Sequence, residues 1–263
     1  MKRPIITLLT DFGLTDYYVG AMKGVILGIC PEAQLVDITH EIPPYQVLQA
    51  AWMLEQVWRC FPEGTVHLAV VDPGVGSQRR PILLEAGGQF WVAPDNGILT
   101  AVRASFEQAV VREISASEYF RHPVSRTFHG RDVFAPVAAH LAAGLPSASV
   151  GSPVREFTRL EWPEPVRVSE TMWRGEILWV DRFGNLVTNL DAAAFSFLAC
   201  SPFELRFGAV VVSQYAQYYS AMAGSEIHLT AGSAGYLEVS LNQQHAGFRL
   251  GVSQGSEFTL VVS

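Results

Sequence analysis

The sequence predicts an α/β protein: an N-terminal, mostly parallel sheet flanked by helices, followed by a smaller all-β domain, a barrel or sandwich. Three observations predict it. Through residues 1–155, short apolar runs alternate with apolar residues at helical spacing, as crossover-connected strands require. Residues 156–167 are polar, carry Pro163 and Pro165, and read as a linker. Residues 168–263 show only short strand runs separated by Gly, Ser or Asn, with no long helical pattern between them.

The elements follow in order. Residues 5–10 form a buried apolar run that ends at Asp11. Val19, Met22, Ile26 and Ile29 recur at helical spacing, then residues 34–38 give a second strand. After Pro43 and Pro44, Val47, Leu48, Ala51, Leu54 and Trp58 mark a second helix. Residues 65–71 are a third strand. Residues 82–85 and 90–93 flank Gly87 and Gly88 as a hairpin. Asp95-Asn96-Gly97 is a turn signal. Val133, Val137, His140 and Leu141 predict a helix that stops near Gly144, with Pro146 beyond it. In the last domain, strands are expected over 176–180, 186–190, 204–207, 210–212, 226–230, 236–240 and 257–262.

Composition narrows the function classes. With 263 residues, 49% of them apolar and 16% charged, the chain suits two folded domains and excludes disorder. A net charge of −7 argues against nucleic acid as the main partner, because phosphate binding needs a basic face. No run approaches the length of a membrane span, and the apolar start is cut short by Asp11, so no signal peptide is expected. Cys30, Cys60 and Cys200 lack metal or redox spacing and read as buried reduced thiols, which fits a cytoplasmic protein.

The residues able to carry chemistry sit where strands end. The strand at 65–71 runs straight into Asp72, Pro73, Gly74 and Gly76, with Arg79 seven residues after the acid. Ligands of open α/β sheets bind at that edge. Asp72 reads either as a group orienting a cation or water, or as a structural turn acid. Asp11, at the first strand's end, reads either as a diol-binding carboxylate or as a turn residue. His129, before a helix start, reads as a proton acceptor or as a helix cap. Asp181-Arg182-Phe183-Gly184-Asn185 offers an acid for an ammonium group, a ring to stack and an amide for a base edge; it also reads as a plain β-turn with an aromatic plug. A metal centre from Asp11, Asp72, His129 and His67 is disfavoured, since no pair has tight ligand spacing and Arg79 would repel a cation.

Seven short motifs, in this order, resemble the S-adenosylmethionine hydroxide adenosyltransferase family, the adenosine-forming hydrolases related to fluorinase and chlorinase. They are Thr10-Asp11-Phe12-Gly13, Asp37-Ile38-Thr39-His40 with Pro43-Pro44-Tyr45, Val71-Asp72-Pro73-Gly74-Val75-Gly76, Ala93-Pro94-Asp95-Asn96-Gly97, Phe128-His129-Gly130-Arg131-Asp132, Asp181-Arg182-Phe183-Gly184-Asn185 and Ser233-Ala234-Gly235-Tyr236-Leu237. The resemblance implies hydrolysis of S-adenosyl-L-methionine to adenosine and L-methionine. It implies no cofactor, S-adenosyl-L-methionine being the substrate, and no metal. It places Asp72, Arg79 and His129 in the catalytic set, Asp11 on the ribose and Tyr45 along the sugar. Thr127, Phe128 and Gly130 line the reacting C5′ region, and Asp181, Phe183, Asn185 and Ser233 hold methionine and adenine. It also implies a homotrimer, each site lying between one subunit's first domain and a neighbour's second.

Ala234 and Leu241 stand where the halogenating relatives carry arginines, and His245 departs from an expected Gly-Asn-Ala tail. Those relatives replace Asp72 by tyrosine and lack the Arg79–His129 pair, so this chain favours water over halide. In that reading His129 takes the proton while Arg79 stabilises hydroxide-like charge, and Asp72 fixes Arg79 or the water itself; which residue acts as base is not legible from sequence. Two rivals remain: a halide adenosyltransferase, and a protein that binds S-adenosyl-L-methionine or adenosine without turnover.

Overall fold

A computed structural model describes residues 3–222 and 226–263. The chain divides into two compact units between Leu160 and Glu161. In the first unit the elements are β1 (Ile5–Thr10), α1 (Tyr18–Ile29), β2 (Gln34–Thr39), α2 (Val47–Val57), β3 (Val66–Val70), β4 (Pro81–Ala86), β5 (Gln89–Pro94), α3 (Thr100–Ala104), β6 (Val110–Glu113) and α4 (Ala135–Ala142). The strands form one sheet in the order β2-β1-β3-β5-β4-β6. β2, β1, β3 and β5 are parallel; β4 is the antiparallel member of a hairpin with β5, and β6 pairs antiparallel with β4.

The alternation along each strand explains why helices cover both faces. Ile6, Leu8, Val66, Leu68 and Val70 join Met22, Ile26, Val137 and Leu141 in one cluster. Leu9, Ala69, Val71, Leu84 and Trp91 join Ala50, Leu54 and Val102 in another. Successive residues point to opposite faces, so every buried strand here is apolar on both sides. Each fully buried Leu or Ile contributes about 2–3 kcal/mol relative to exposure. α3 and β6 were not among the sequence expectations; α3 spans 5 residues and β6 spans 4, too short to show a period.

Two further details position the site. The helix expected to open just after His129 starts instead with a wide π-helical turn, Gly130–Phe134. Pro136 then sits in the first turn of α4 and has no N–H to offer the Asp132 carbonyl, which accepts from Arg121 N–H at 2.8 Å. His67 is fully buried within β3, between Thr7 Oγ1 at 2.8 Å and Gln89 Oε1 at 2.7 Å, and stacks on Trp91. It is a core residue.

The second unit holds β7 (Val166–Arg167), β8 (Met172–Val180), β9 (Leu186–Asp191), β10 (Phe203–Phe207), β11 (Val210–Val212), β12 (Ile227–Ala231), β13 (Tyr236–Leu241), α5 (Ala246–Leu250) and β14 (Glu257–Val262). These strands pair antiparallel in the order β11-β10-β14-β8-β9-β13-β12, with β7 on β8. Beyond β11, Tyr215 bridges to Leu229 of β12, so the sheet nearly closes on itself. Leu190, Leu205, Leu229, Val239, Phe258 and Leu260 fill its interior.

The thiols correct one expectation. Cys30 is buried, but Cys60 and Cys200 are exposed, and all three are unpaired. No helix among the described residues is long and apolar enough to cross a membrane.

Candidate active site

β3 ends at Val70, and two residues later Asp72 leaves the sheet at the carboxyl edge of the parallel strands. The next residues turn tightly: Val75 N–H donates to the Asp72 carbonyl at 3.2 Å and Ser77 N–H to the Gly74 carbonyl at 3.1 Å. That turn brings Arg79 back over the acid. Its Nε lies 3.0 and 2.9 Å from the two carboxylate oxygens, and Nη2 closes a further bond to Oδ2. Both side chains are nearly out of solvent, Arg79 at 9% and Asp72 at 4% exposure, and the guanidinium rests over the buried Phe134 ring. A charged pair in such a place is held by its mutual hydrogen bonds and is costly to break.

Two glycines make the turn possible. A Cβ on Gly74 would press on Arg79 and Ser77 at 3.3 Å. Gly76 has φ +77° and a Cβ there would stand 2.4 Å from the Arg126 carbonyl oxygen. The loop after β3 therefore lies directly against the segment that leads to His129.

Arg79 Nη2 also lies 2.7 Å from His129 Nδ1. A guanidinium can only donate, so Nδ1 accepts and the neutral ring carries its proton on Nε2. Burial, then the Arg79 charge, holds the imidazole below the ordinary histidine range. His129 is thus a neutral ring presenting an N–H donor. This geometry disfavours the idea that it takes a proton from water, since its only lone pair faces Arg79. Neither His129 Nε2 nor Arg79 Nη1 has a partner among the described residues.

Asp11 follows β1 and its Oδ2 accepts from Tyr45 N–H at 3.0 Å. Burial raises its pKa, the Tyr45 contact opposes this, and the nearby Asp72 charge adds to the rise. Tyr45 adopts φ +71° and the residue is 71% exposed. An exposed aromatic held in the left-handed region is strained, and such strain clusters at ligand clamps. Gly13 N–H donates to the His40 carbonyl at 2.8 Å, and Thr10 Oγ1 meets His40 Nδ1 at 2.8 Å, tying the exits of β1 and β2 together.

Thr127 is exposed, Phe128 is buried, and a Cβ on Gly130 would stand 3.2 Å from Met22 and 3.4 Å from Phe12, a tight fit. The Phe128 ring meets Tyr18 edge-on, with Arg131 over it, beside a cavity of about 240 Å³ that Phe12, Tyr17, Ser125 and Thr127 also line. Asp132 was quoted in a motif but given no role. It is fully buried and its carboxylate binds Arg131, Arg121 and Ser125 N–H, folding the loop that carries His129. Its cue was an acid directly after an arginine at a helix start.

In the second unit, Asp181 uses its oxygens within its own turn. Oδ1 accepts from Phe183 and Asn185 N–H, both at 2.8 Å, and Oδ2 from Asn185 Nδ2 at 2.8 Å. These bonds form a turn, which leaves Phe183 79% exposed. Gly184 packs against His245, which caps α5 by accepting from Phe248 N–H at 3.1 Å. Ser233 is exposed on the turn between β12 and β13. Under that turn lies Glu238, accepting from the Tyr219 hydroxyl at 2.8 Å; burial raises its pKa and Asp181 adds to the rise.

The model of the SAM hydroxide adenosyltransferase N-terminal domain matches residues 6–151, and that of the C-terminal domain matches residues 175–259. The chain belongs to the SAM hydroxide adenosyltransferase family. Within it, the chain is 40% identical over 258 residues to an (R)-S-adenosyl-L-methionine hydrolase of Salinispora tropica, covering 96% of this chain and 95% of that one. A fluorinase of Nocardia brasiliensis is 32% identical over 215 residues, 72% of each chain. Among solved structures, an uncharacterized conserved protein from Thermotoga maritima has a TM-score of 0.90 and 39% identity, covering 97% of this chain and 99% of that one. The family assignment thus extends through both units.

Proposed function

We propose that this enzyme hydrolyses S-adenosyl-L-methionine to adenosine and L-methionine by displacing methionine from C5′ with water or hydroxide. One observation carries the reading: Arg79 bridges Asp72 and His129 at the carboxyl edge of the sheet, leaving Arg79 Nη1 and His129 Nε2–H as donors with no protein partner among the described residues. Two unpartnered donors suit a nucleophile that is already acquiring negative charge. Family membership and the hydrolase relative supply the substrate.

The chemistry follows from the sulfonium. Its thioether leaves as a neutral group, so no acid is needed at sulfur. The new O–C5′ bond forms as the C5′–S bond breaks, the bonding pair moves to sulfur, and the attacking water gives up one proton to bulk solvent. Arg79 and His129 lower the cost of the hydroxide-like oxygen, Asp72 keeps the guanidinium in place, and positioning supplies much of the rest. Asp11 is assigned to the ribose hydroxyls, with Tyr45 along the sugar and Thr127, Phe128 and Gly130 around C5′. Asp181, Phe183, Asn185 and Ser233 are assigned to methionine and adenine, contributed by a neighbouring subunit of a homotrimer. The exposed Phe183 ring supports that assignment, because it has no stacking partner in its own turn. No resident cofactor or metal is part of the scheme.

The test is turnover in water enriched in heavy oxygen. Label must appear at the adenosine 5′-hydroxyl; unlabelled adenosine rules out this route. The fluorinase relative motivates one rival, halide transfer, which would give a 5′-haloadenosine in preference to adenosine when fluoride or chloride is added. Intact substrate after prolonged incubation would instead indicate a binder without turnover.

A further inference from the structure

The second unit contains a cavity of about 410 Å³ to which none of the residues assigned above belongs. Trp162, Trp173, Phe195 and Tyr236 form its walls, with Pro163 and Pro165 between them. Trp162 is fixed in place, its Nε1–H donating to the Tyr236 hydroxyl at 3.1 Å. Trp173 meets Phe195 edge-on, ring centroids 5.6 Å apart. The rings are thus pre-set rather than loose.

The charged groups of the cavity are of one sign. Glu164 and Asp191 are both exposed at its edge, and neither has an ion-pair partner among the described residues. Asp191 Oδ1 accepts from Ala193 and Ala194 N–H at 3.0 and 2.7 Å, which leaves Oδ2 without such a bond. Among the described residues no Lys, Arg or His lines the space, although Arg167 lies over the Trp173 ring, 5.5 Å from its centroid. Asn189 is the inner polar group, only 4% exposed, and alternation along β9 puts it on the same face as Asp191. Its Oδ1 accepts from Glu176 N–H at 3.0 Å. That approach needs Gly175, where a Cβ would stand 2.5 Å from the same oxygen. The amide is therefore oriented, and its NH₂ end has no partner among the described residues while the residue lines the cavity. The amide NH₂ is therefore a donor that a ligand in the cavity can reach.

We propose that this cavity binds an alkylated onium ion, a quaternary ammonium or sulfonium centre that carries an acceptor oxygen. Aromatic faces attract such a cation through their quadrupoles, and alkylated cations shed water easily. Glu164 and Asp191 supply the opposite charge, and Asn189 donates to the ligand oxygen. An anion is repelled by the same carboxylates, and a neutral ligand gains nothing from them. The inference does not rest on the hydrolytic reading, since it uses the second unit's own residues alone.

Choline is a suitable probe, with dimethylbutanol as its uncharged carbon isostere. Titration is followed by tryptophan emission and by calorimetry on the intact protein. Choline saturates one site per chain and binds at least about tenfold tighter than the alcohol, the size expected for a desolvated cation–π site. The paired Glu164→Gln and Asp191→Asn variant, changed only at exposed side chains, weakens choline about tenfold and leaves the alcohol unchanged. Absence of saturation, equal affinity for the alcohol, or unaltered binding by the variant overturns the proposal.

Discussion

Replacing Gly76 by alanine tests whether the loop after β3 sets the geometry of the reacting groups. At φ +77° an L-residue carries about 1–2 kcal/mol of backbone strain. The added Cβ would also lie 2.4 Å from the Arg126 carbonyl oxygen, against an ordinary carbon–oxygen approach of about 3.3 Å. Either the loop or the Arg126 segment must retreat by roughly 1 Å, and a misplacement of that size costs about 100-fold in rate when reacting groups are pre-aligned. The contact that suffers is the 2.7 Å bond between Arg79 and His129. Gly64 is the matched control: φ +83°, with nothing within 4 Å of its Cβ. The assay is chromatographic detection of adenosine, with kcat and KM measured separately, beside thermal unfolding. Gly64→Ala is expected to lower stability by about 1 kcal/mol and leave kcat unchanged. Gly76→Ala is expected to lower stability by about 2 kcal/mol and kcat about 100-fold, with KM moving less. Wild-type kcat in Gly76→Ala refutes the link between this turn and the site.

Three more expectations follow from the same contacts. His129→Ala removes one donor to the nucleophile and should reduce kcat by about 10²–10³-fold. Because the imidazole pKa lies below its ordinary value, wild-type kcat should stay level as pH falls through 6.5 and drop only at lower pH; a midpoint at or above 6.5 contradicts this. Asp72→Ala strands the Arg79 charge in a nearly buried place, so urea unfolding of the variant should show a loss of about 3 kcal/mol together with loss of turnover. His67 has its pKa lowered to about 4 by burial, so the unfolded chain binds the proton more readily. Stability from this group is complete above pH 6.5 and lost as pH falls towards 4, by about 3 kcal/mol in total; His67→Gln should flatten that slope in unfolding curves.

Much of this arrangement was legible in the sequence because it is written at strand ends. β1 and β3 are apolar on both faces, and Asp11 and Asp72 mark where they stop, so their place at one sheet edge follows from parallel pairing. The hairpin of β4 and β5 was equally plain, because Gly87 and Gly88 separate two apolar runs. Short elements were not legible: α3 and β6 offer too few residues for a period to show. The start of α4 was misjudged for a different reason. Apolar spacing marks a helix from Val133, but Pro136 and the wide turn at Gly130–Phe134 displace the regular helix to Ala135. Thiol exposure was also beyond composition, since Cys60 and Cys200 lie outside the core although their residue type favours burial.

By itself the sequence determined which residue types stand at the sheet edge, in what order, and the family to which their motifs belong. Only the tertiary structure decided what each can do, because that depends on lone pairs and donors rather than on identity. A histidine reads as a base until Arg79 is seen to occupy its Nδ1. An aspartate's share in its own turn shows only when Phe183 and Asn185 are seen donating to Asp181. Residues fifty apart meet only because Gly76 lets one loop lie against another, and no periodicity in the chain encodes that contact.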